Sequence, residues 1–196
     1  MSGIEIVVIS GSVREGNFTR KAVDLVVAEL QSHEGVTVSL IDPREHQLAL
    51  PGLSIEGDAS AALQALVHRS TGVVFASPEY HGSYSSTSKL VIDNLGFPSE
   101  FRGKPVALLG VAAGVIGAIK ALEHLRSVLS HVGAIVLPGP VSVAGVQRMF
   151  DADGKCLDEG TEKRVRGVAT GLLNYIRDHV CLKHAPEATT SPEASA

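Results

Sequence analysis

Residues 4–19 read Ile4-Glu5-Ile6-Val7-Val8-Ile9-Ser10-Gly11-Ser12-Val13-Arg14-Glu15-Gly16-Asn17-Phe18-Thr19, and this stretch decides the fold class. Its first six residues are mostly β-branched and apolar, which is typical of a buried strand. After the polar loop, apolar residues return at helical spacing, at Ala22, Val23, Val26, Val27 and Leu30. The sequence therefore predicts a strand over residues 4–9, a polar loop and then a helix.

The polar loop has the composition of a phosphate-binding segment, and we call it loop one. Unpaired N–H groups at a helix start, together with the helix dipole, attract anions. Hydroxyl groups and one arginine would add donors, so the candidate residues are Ser10, Ser12, Arg14, Asn17, Phe18 and Thr19. Neither the glycine-rich dinucleotide signature nor the P-loop signature is present. The loop alone fits equally a polar first turn, in which Asn17 or Thr19 is an ordinary helix cap.

Length and composition predict one globular domain. The chain has 196 residues, of which 44% are apolar and 19% charged, with a net charge of −4. This charge provides no basic stripe, so we expect no nucleic-acid partner. No run of about 18 apolar residues occurs, so we expect no membrane span. Two cysteines without metal-ligand spacing and a first strand close to Met1 indicate a reduced, cytoplasmic protein with neither metal nor signal peptide.

Strand and helix patterns alternate along the rest of the chain. Further strands are predicted over residues 36–42, 73–76, 106–109 and 134–137, with Pro78 ending the third strand and Pro138 the fifth. Helices are predicted over residues 59–69, 89–95, 118–129 and 159–180. This alternation predicts an α/β domain over residues 1–183, with a doubly wound five-stranded parallel sheet and helices on both faces. The polar tail, residues 184–196, is predicted to be disordered.

Two further loops follow predicted strands, and ligands of such sheets bind beyond the carboxyl ends of the strands. Loop two, residues 77–86, contains two of the three tyrosines, a stiffening proline and Gly82, where backbone can approach a flat ligand closely. Loop three, residues 110–117, is small and apolar and could lie against a ring. A phosphate cradle beside a planar-ring loop predicts a mononucleotide site. Its candidate residues are Pro78, Glu79, Tyr80, His81, Gly82 and Ser83 in loop two, and Val111, Ala112 and Gly114 in loop three.

These motifs resemble those of the NADPH-dependent FMN reductase family. The resemblance rests on Gly11-Ser12-x-Arg14 and on Pro78-Glu79-Tyr80-His81-Gly82-Ser83, followed by Lys89 and Ile92-Asp93, and it runs over roughly residues 4–177. It implies a flavodoxin-like fold, FMN as cofactor and NADPH or NADH as co-substrate. Electrons would pass to a small-molecule acceptor such as free flavin, a quinone, an azo compound or an oxidised metal species. No side chain is assigned a catalytic role, because the flavin carries the chemistry.

The resemblance also assigns roles by position and shows where this chain differs. Ser10, Ser12 and Arg14 match the phosphate-binding start of the family loop, and residues 78–83 match the segment that lines the flavin ring. Asn17 and Thr19 stand where the family more often has serine and asparagine. Leu90 replaces an asparagine, Asn94 replaces a tryptophan, and Val111-Ala112-Ala113 replaces more polar residues. Asn17 and Thr19 can still hydrogen-bond a phosphate, whereas the differences at Leu90, Asn94 and residues 111–113 bear on the choice of acceptor.

Several alternatives remain open from the sequence. Tyr80 and Tyr84 could be ordinary half-buried aromatics, His81 could be merely solvated, and Glu79 could serve turn geometry or a partner chain. The protein could instead be a flavodoxin-like electron carrier that docks protein partners, or a nucleotide-binding regulatory module without turnover. A carrier would favour a strongly acidic surface and ring-stacking aromatics, and the charge of −4 and the 4% aromatic content speak against it.

The resemblance implies a homodimer or homotetramer, and one segment gives independent support. Residues 83–101 carry six large apolar side chains, which exceed what one helix face buries. They are Leu90, Val91, Ile92, Leu95, Phe97 and Phe101. Either the surplus contacts a second subunit, or these residues complete the core of the monomer.

Overall fold

The computed structural model describes residues 3–181, so the predicted disordered tail lies outside the described residues. The seven strands are β1 (Ile4–Ser10), β2 (Val36–Ile41), β3 (Gly72–Tyr80), β4 (Ser83–Tyr84), β5 (Pro105–Val111), β6 (Ile135–Val136) and β7 (Val141–Val143). The α-helices are α1 (Phe18–Gln31), α2 (Ser60–Arg69), α3 (Ser86–Asp93), α4 (Ile119–His131) and α5 (Glu159–Tyr175). A 3₁₀ turn covers Val146–Arg148, and Ile176–Val180 continues α5 as a π-helical segment.

The main sheet is parallel and has the order β2-β1-β3-β5-β6. From β1 the chain first winds outward to β2 and then crosses back to β3, so the strand order reverses between β1 and β3. This reversal creates a crevice at the carboxyl ends of β1 and β3, which is where ligands of such sheets bind. The predicted doubly wound parallel sheet is confirmed.

Each face of the sheet carries its own apolar core, because successive strand residues point to opposite faces. Ile6 and Val8 pack with α1 and α5 on one face. Val7 and Ile9 pack with α2, α3 and α4 on the other. None of the helices within residues 3–181 is long and apolar enough to cross a membrane.

Two local expectations were wrong, and one short strand was missed. β3 does not end before Pro78 but continues to Tyr80. Because β1 pairs with β3 only as far as Ala76, β3 lacks that neighbour at Pro78, and a proline without an N–H is tolerated there. The fifth strand is divided into β6 and β7, which pair with opposite ends of β5 on either side of Pro138-Gly139-Pro140. β4 was not predicted.

The apolar segment of residues 83–101 mostly completes the core of the monomer. Val91, Ile92, Leu95 and Phe101 are buried in the core beneath α2, α3 and α4. Phe101 lies beyond the end of α3 and its ring centroid is 6.1 Å from that of Phe75, so one helix face need not bury all six side chains. Of the six, Leu90 is half-buried and Phe97 is fully exposed.

Candidate functional site

Loops one, two and three lie at the same edge of the sheet, because β1, β3 and β5 are parallel neighbours that end there. Loop one contacts loop two directly. The Gly11 N–H donates to the Ala76 carbonyl at 2.8 Å, and Ser12 Oγ lies 3.5 Å from Tyr80 Oη. The structure therefore brings together the three segments that the sequence selected.

Loop one presents an unsatisfied row of donors. The backbone N–H groups of residues 12–18 donate to no acceptor within residues 3–181. Ser10 Oγ is buried and also lacks a hydrogen-bond partner in this part of the chain. The first turn of α1 contains no acidic residue that would repel an anion. Residues 13–16 are exposed, so their free N–H groups at the start of a helix are accessible to an anion, and the cluster has the properties of an anion-binding cradle.

The structure confirms that Asn17 is the cap of α1. Its side-chain oxygen accepts from the Arg20 N–H at 2.8 Å and so caps α1, while its amide nitrogen donates to the Arg14 carbonyl at 2.7 Å. These bonds fix the loop immediately ahead of the helix. Asn17 therefore shapes the cradle with its side chain and faces a ligand only with its backbone N–H.

Phe18 and Thr19 differ in what they offer to a ligand. The Phe18 side chain packs against the core between the sheet and α1 and α5, with the Lys21 ammonium 5.2 Å from its ring centroid. Phe18 can therefore contribute only its backbone N–H. Thr19 is buried within the first turn of α1.

Arg14 extends across the boundary between loops one and two. Its guanidinium carbon lies 4.5 Å from the centroid of the Tyr80 ring, which is the geometry of a cation–π contact. Arg14 is exposed and Tyr80 is half-buried. The contact keeps the positive charge of Arg14 at the open side of the cradle. Tyr80 therefore stabilises the position of that guanidinium and is more than an ordinary half-buried aromatic.

A charged cluster at the end of β2 holds α1 in place beside loop one. Asp42 is buried and accepts from Arg20 Nη1 and Arg44 Nη2, both at 2.8 Å. Burial alone would raise the pKa of Asp42, but the hydrogen bonds from Arg44 and Arg20 outweigh it and lower the pKa below its ordinary value. An ionised Asp42 therefore ties the first turn of α1 to β2.

Loop two is a hairpin between β3 and β4. Glu79 pairs with Tyr84 and Tyr80 with Ser83, which leaves His81 and Gly82 as a two-residue turn. Both turn residues have positive φ, 51° for His81 and 74° for Gly82, as a type I′ turn requires. A polar residue followed by glycine between two strand-like pairs is the signal that could have revealed this hairpin. The turn geometry alone therefore requires Gly82, independently of any ligand that contacts the hairpin.

The remaining loop-two residues are connected to α4. Glu79 Oε2 accepts from the Ala121 N–H at 3.0 Å, in the first turn of a helix whose own cap residue, Ala118, supplies no side-chain acceptor. Glu79 therefore caps α4 from a neighbouring strand, a role that the sequence reasoning missed. Ser83 Oγ lies 3.0 Å from His124 Nδ1 on α4. Pro78 is buried and His81 is exposed to solvent.

Loop three and the hairpin turn enclose a depression of about 380 Å³. Val111 and Ala112 are buried at the end of β5, and a Cβ added at Gly114 would meet nothing within 4 Å. Val115 and Ile116 form the exposed apolar tip of the loop. Small side chains at the base and apolar side chains at the rim leave room for a flat group.

The loops together fit FMN. Loop one offers N–H groups, a buried hydroxyl and an arginine, which suit a terminal phosphate. The small-residue depression, bordered by loops two and three, suits a flat ring. The arrangement is typical of a mononucleotide-binding protein, whose candidate site lies at the strand-order reversal of an open sheet.

Comparison with known proteins identifies the family. Residues 4–148 match the family model of NADPH-dependent FMN reductases, and the chain belongs to this family. It is 34% identical to the NADPH azoreductase of Bacillus sp. (strain OY1-2) over 176 residues, covering 88% of this chain and 93% of that protein. It is 28% identical to an NAD(P)H-dependent FMN reductase of Pseudomonas aeruginosa, covering 89% and 96%. Among solved structures, the flavoenzyme NAD(P)H:(acceptor) oxidoreductase of Paracoccus denitrificans is similar, with 26% identity, a TM-score of 0.74, and coverage of 90% and 98%.

These findings confirm the family resemblance and the flavodoxin-like fold. They also confirm the predicted enzyme class, an FMN-dependent oxidoreductase that uses NAD(P)H and passes electrons to a small acceptor.

Proposed function

We propose that loops one, two and three of this reductase hold FMN, and that NAD(P)H and a small acceptor bind in turn at the 380 Å³ depression. The observation that carries the proposal is the row of unpartnered N–H groups over residues 12–18, beside the unpartnered Ser10 hydroxyl and next to that depression. FMN held there would supply the redox chemistry, as acceptor of a hydride from NAD(P)H and donor of two electrons to the small acceptor. The protein supplies binding, orientation and a shaped surface.

In loop one, the backbone N–H groups of the exposed residues 13–16 donate to the phosphate and Arg14 adds a charged donor, while the buried Ser10 and Ser12 form the floor of the cradle. Asn17 and Thr19 hold the loop and the first helical turn in position. The phosphate thereby lies at the positive end of α1.

The ring lies against backbone rather than against large side chains. The hairpin turn of loop two and the Ala112–Gly114 stretch of loop three approach it without bulky side chains. Backbone N–H and C=O groups there can contact the ring edge, and the open side of the depression admits each substrate after the other has left. Sequential use of one surface predicts ping-pong kinetics.

The lining of the depression favours a neutral, planar acceptor such as an azo compound or a quinone. The part of loop three that the ring would leave free is the apolar rim of Val115 and Ile116, and the ionisable groups that line the depression are Glu79 and His81. The Glu79 carboxylate is already engaged by α4. The Lys120 side chain adjoins the hairpin turn, with its Cδ 3.5 Å from where a Cβ on Gly82 would lie, so a metal oxyanion would meet positive charge at the rim of the depression and none on its lining.

The expected homodimer or homotetramer has support from apolar side chains that the monomer leaves exposed. Leu50, Leu53, Ile55 and Phe97 lie outside the two cores. Burying them between subunits would remove apolar area from water. Sedimentation at micromolar concentration tests this: we expect a multiple of 20.5 kDa, and a fully active 20.5 kDa species would contradict it.

A single domain over residues 1–183 and a cytoplasmic location complete the proposal. Both apolar cores share one sheet, which supports one cooperative unit. Cys156 and Cys181 are free thiols, which supports a reducing compartment.

The decisive experiment follows the bound flavin and the turnover together. The purified protein, supplied with FMN and freed of excess, should show a protein-bound flavin spectrum that bleaches when NADPH or NADH is added without air. Reoxidation is then timed with an azo dye, a quinone and chromate at equal concentration. Faster reoxidation by the azo dye and the quinone supports the proposal. Failure to retain FMN contradicts the proposed site. Faster reoxidation by chromate contradicts the proposed acceptor class.

A further inference from the structure

A buried cluster of serines connects loop one to loop two behind the proposed ligand site. Ser77 precedes Pro78 in β3, Ser85 is the cap of α3, and Ser88 lies in the first turn of α3. All three side chains are buried, with at most 2% of each residue exposed. Three hydroxyl groups are costly to bury unless each one is hydrogen-bonded.

Each serine of the cluster carries a single hydroxyl proton, and the following arrangement gives every hydroxyl an acceptor. Ser88 Oγ donates to Ser77 Oγ at 2.9 Å, and Ser77 Oγ donates to the Pro78 carbonyl at 3.0 Å. Ser85 Oγ donates to the Gly11 carbonyl at 2.5 Å and accepts from the Ser88 N–H at 3.0 Å. The cluster thus ends on the backbone of loop one.

Gly11 packs so closely against this cluster and β3 that no side chain fits there. A Cβ at Gly11 would lie 2.7 Å from the Ala76 carbonyl oxygen and would also collide with Ser88 Oγ. The Gly11 N–H is bonded to Ala76 as well. Gly11 is therefore held through both its N–H and its C=O, immediately before the row of donors begins at Ser12.

We propose that Ser77, Ser85 and Ser88 are positioning residues that hold loop one against loop two and so set the affinity for FMN. The inference rests on the proposed function, because it assumes that loop one binds the phosphate. Ser85 acts on loop one directly, and Ser77 and Ser88 act by fixing Ser85. None of them needs to touch the ligand.

The test compares two cluster variants with a matched control. Ser85→Ala removes the donor to Gly11, and Ser77→Ala loosens the cluster while the cap bond from the Ser88 N–H to Ser85 stays in place. Ser70→Ala is the control, since Ser70 is equally buried and donates to the Val67 carbonyl after α2, at the amino end of β3 and away from loop one. All three variants lose a buried hydroxyl, so all three should lose stability in urea.

FMN affinity separates a positioning role from a merely structural one. We expect Ser85→Ala to raise the FMN dissociation constant about tenfold and Ser77→Ala to raise it about threefold, the range that a lost hydrogen bond gives. Ser70→Ala should leave it unchanged. The KM for NADPH and the kcat at saturating FMN should stay within about twofold for all three, because the ring surface is intact. Unchanged FMN affinity in Ser85→Ala and Ser77→Ala would overturn the proposal.

Amide exchange at Gly11 in the flavin-free protein provides a readout that needs no ligand. The Gly11 N–H should exchange at least about tenfold faster in Ser85→Ala and should keep its wild-type rate in Ser70→Ala. A wild-type protein that fails to bind FMN would contradict the proposed function, and the exchange rates would still decide whether the serines hold loop one. Equal Gly11 exchange in wild type and Ser85→Ala would show that they do not.

Discussion

Replacing Gly11 by alanine tests how closely loop one must approach β3. The new Cβ would lie 2.7 Å from the Ala76 carbonyl oxygen and 3.3 Å from Ser77 Cα, and would also meet Ser88 Oγ. The serine hydroxyl can rotate, but the backbone of a central strand cannot move away. Loop one must therefore shift, which strains or breaks the bond from the Gly11 N–H to Ala76. We expect a loss of about 1–3 kcal/mol, the usual cost of overpacking a buried site.

Urea unfolding of the flavin-free protein, with flavin fluorescence titrations in parallel, measures both effects. The midpoint should fall while the slope stays constant, which marks a change in stability alone. FMN affinity should fall as well, because the donors of residues 12–18 follow Gly11 directly.

Gly167→Ala is the matched control for this substitution. Gly167 lies on the exposed side of α5, and a Cβ there would meet nothing within 4 Å. The same added methyl group should therefore stabilise the protein by about 0.5–1 kcal/mol, because alanine favours a helix.

The double variant Gly11→Ala with Ser88→Ala removes one of the two obstacles and leaves the Ala76 carbonyl in place. We expect Ser88→Ala to lower the free energy of unfolding less in the Gly11→Ala variant than in the wild type. If Gly11→Ala were as stable as the wild type and bound FMN equally well, the close approach of loop one to β3 would not matter.

Substitutions at three further residues test other parts of the site. Arg14→Ala should weaken FMN binding by about 1.5–3 kcal/mol in fluorescence titrations, and Arg14→Lys by less; an unchanged affinity contradicts the phosphate role. Glu79→Ala should lower stability in urea by about 1 kcal/mol through loss of the α4 cap, and Glu79→Gln should keep most of it. Asp42 has a lowered pKa, so its stabilising effect is full above the ordinary carboxyl pKa of 3.8 and is lost as the pH falls through the folded value. The urea midpoint of Asp42→Asn should therefore be lower than that of the wild type at pH 7 and should change less as the pH falls. Parallel plots of midpoint against pH for the two proteins would contradict this.

The sequence predicts those parts of the fold that depend on local patterns. β1 and β5 are continuous β-branched or apolar runs, and α1 and α4 repeat apolar residues at helical spacing, so tertiary contacts only reinforce the local preference. The placement of loop one follows from the same logic. A polar segment between a buried strand and a helix must lie at the carboxyl edge of the sheet.

The parts that could not be predicted depend on neighbours distant in the chain. β3 passes through Pro78 because β1 has already ended, and the length of β1 cannot be judged from residues near Pro78. Glu79 caps a helix that begins 40 residues later, and no local signal connects them. The six apolar residues of the 83–101 segment were more than one helix face can bury. Phe101 packs against Phe75 because of the path that the chain takes after α3, and the local sequence does not reveal that path.

Loop two holds the two halves of the site at a fixed separation. Its Ser85 donates to the Gly11 carbonyl of loop one, and its Glu79 accepts from the first turn of α4 at the end of loop three. The phosphate cradle and the ring surface are therefore positioned relative to each other before any ligand arrives, which reduces the ordering cost of binding. Within residues 3–181, the tip of loop three, Val115 and Ile116, makes no such contact, and the bonds that hold the loop lie on either side of it, at Gly114, Gly117 and Ala118. FMN affinity should therefore depend on the rigid connections, and acceptor preference on these two exposed side chains.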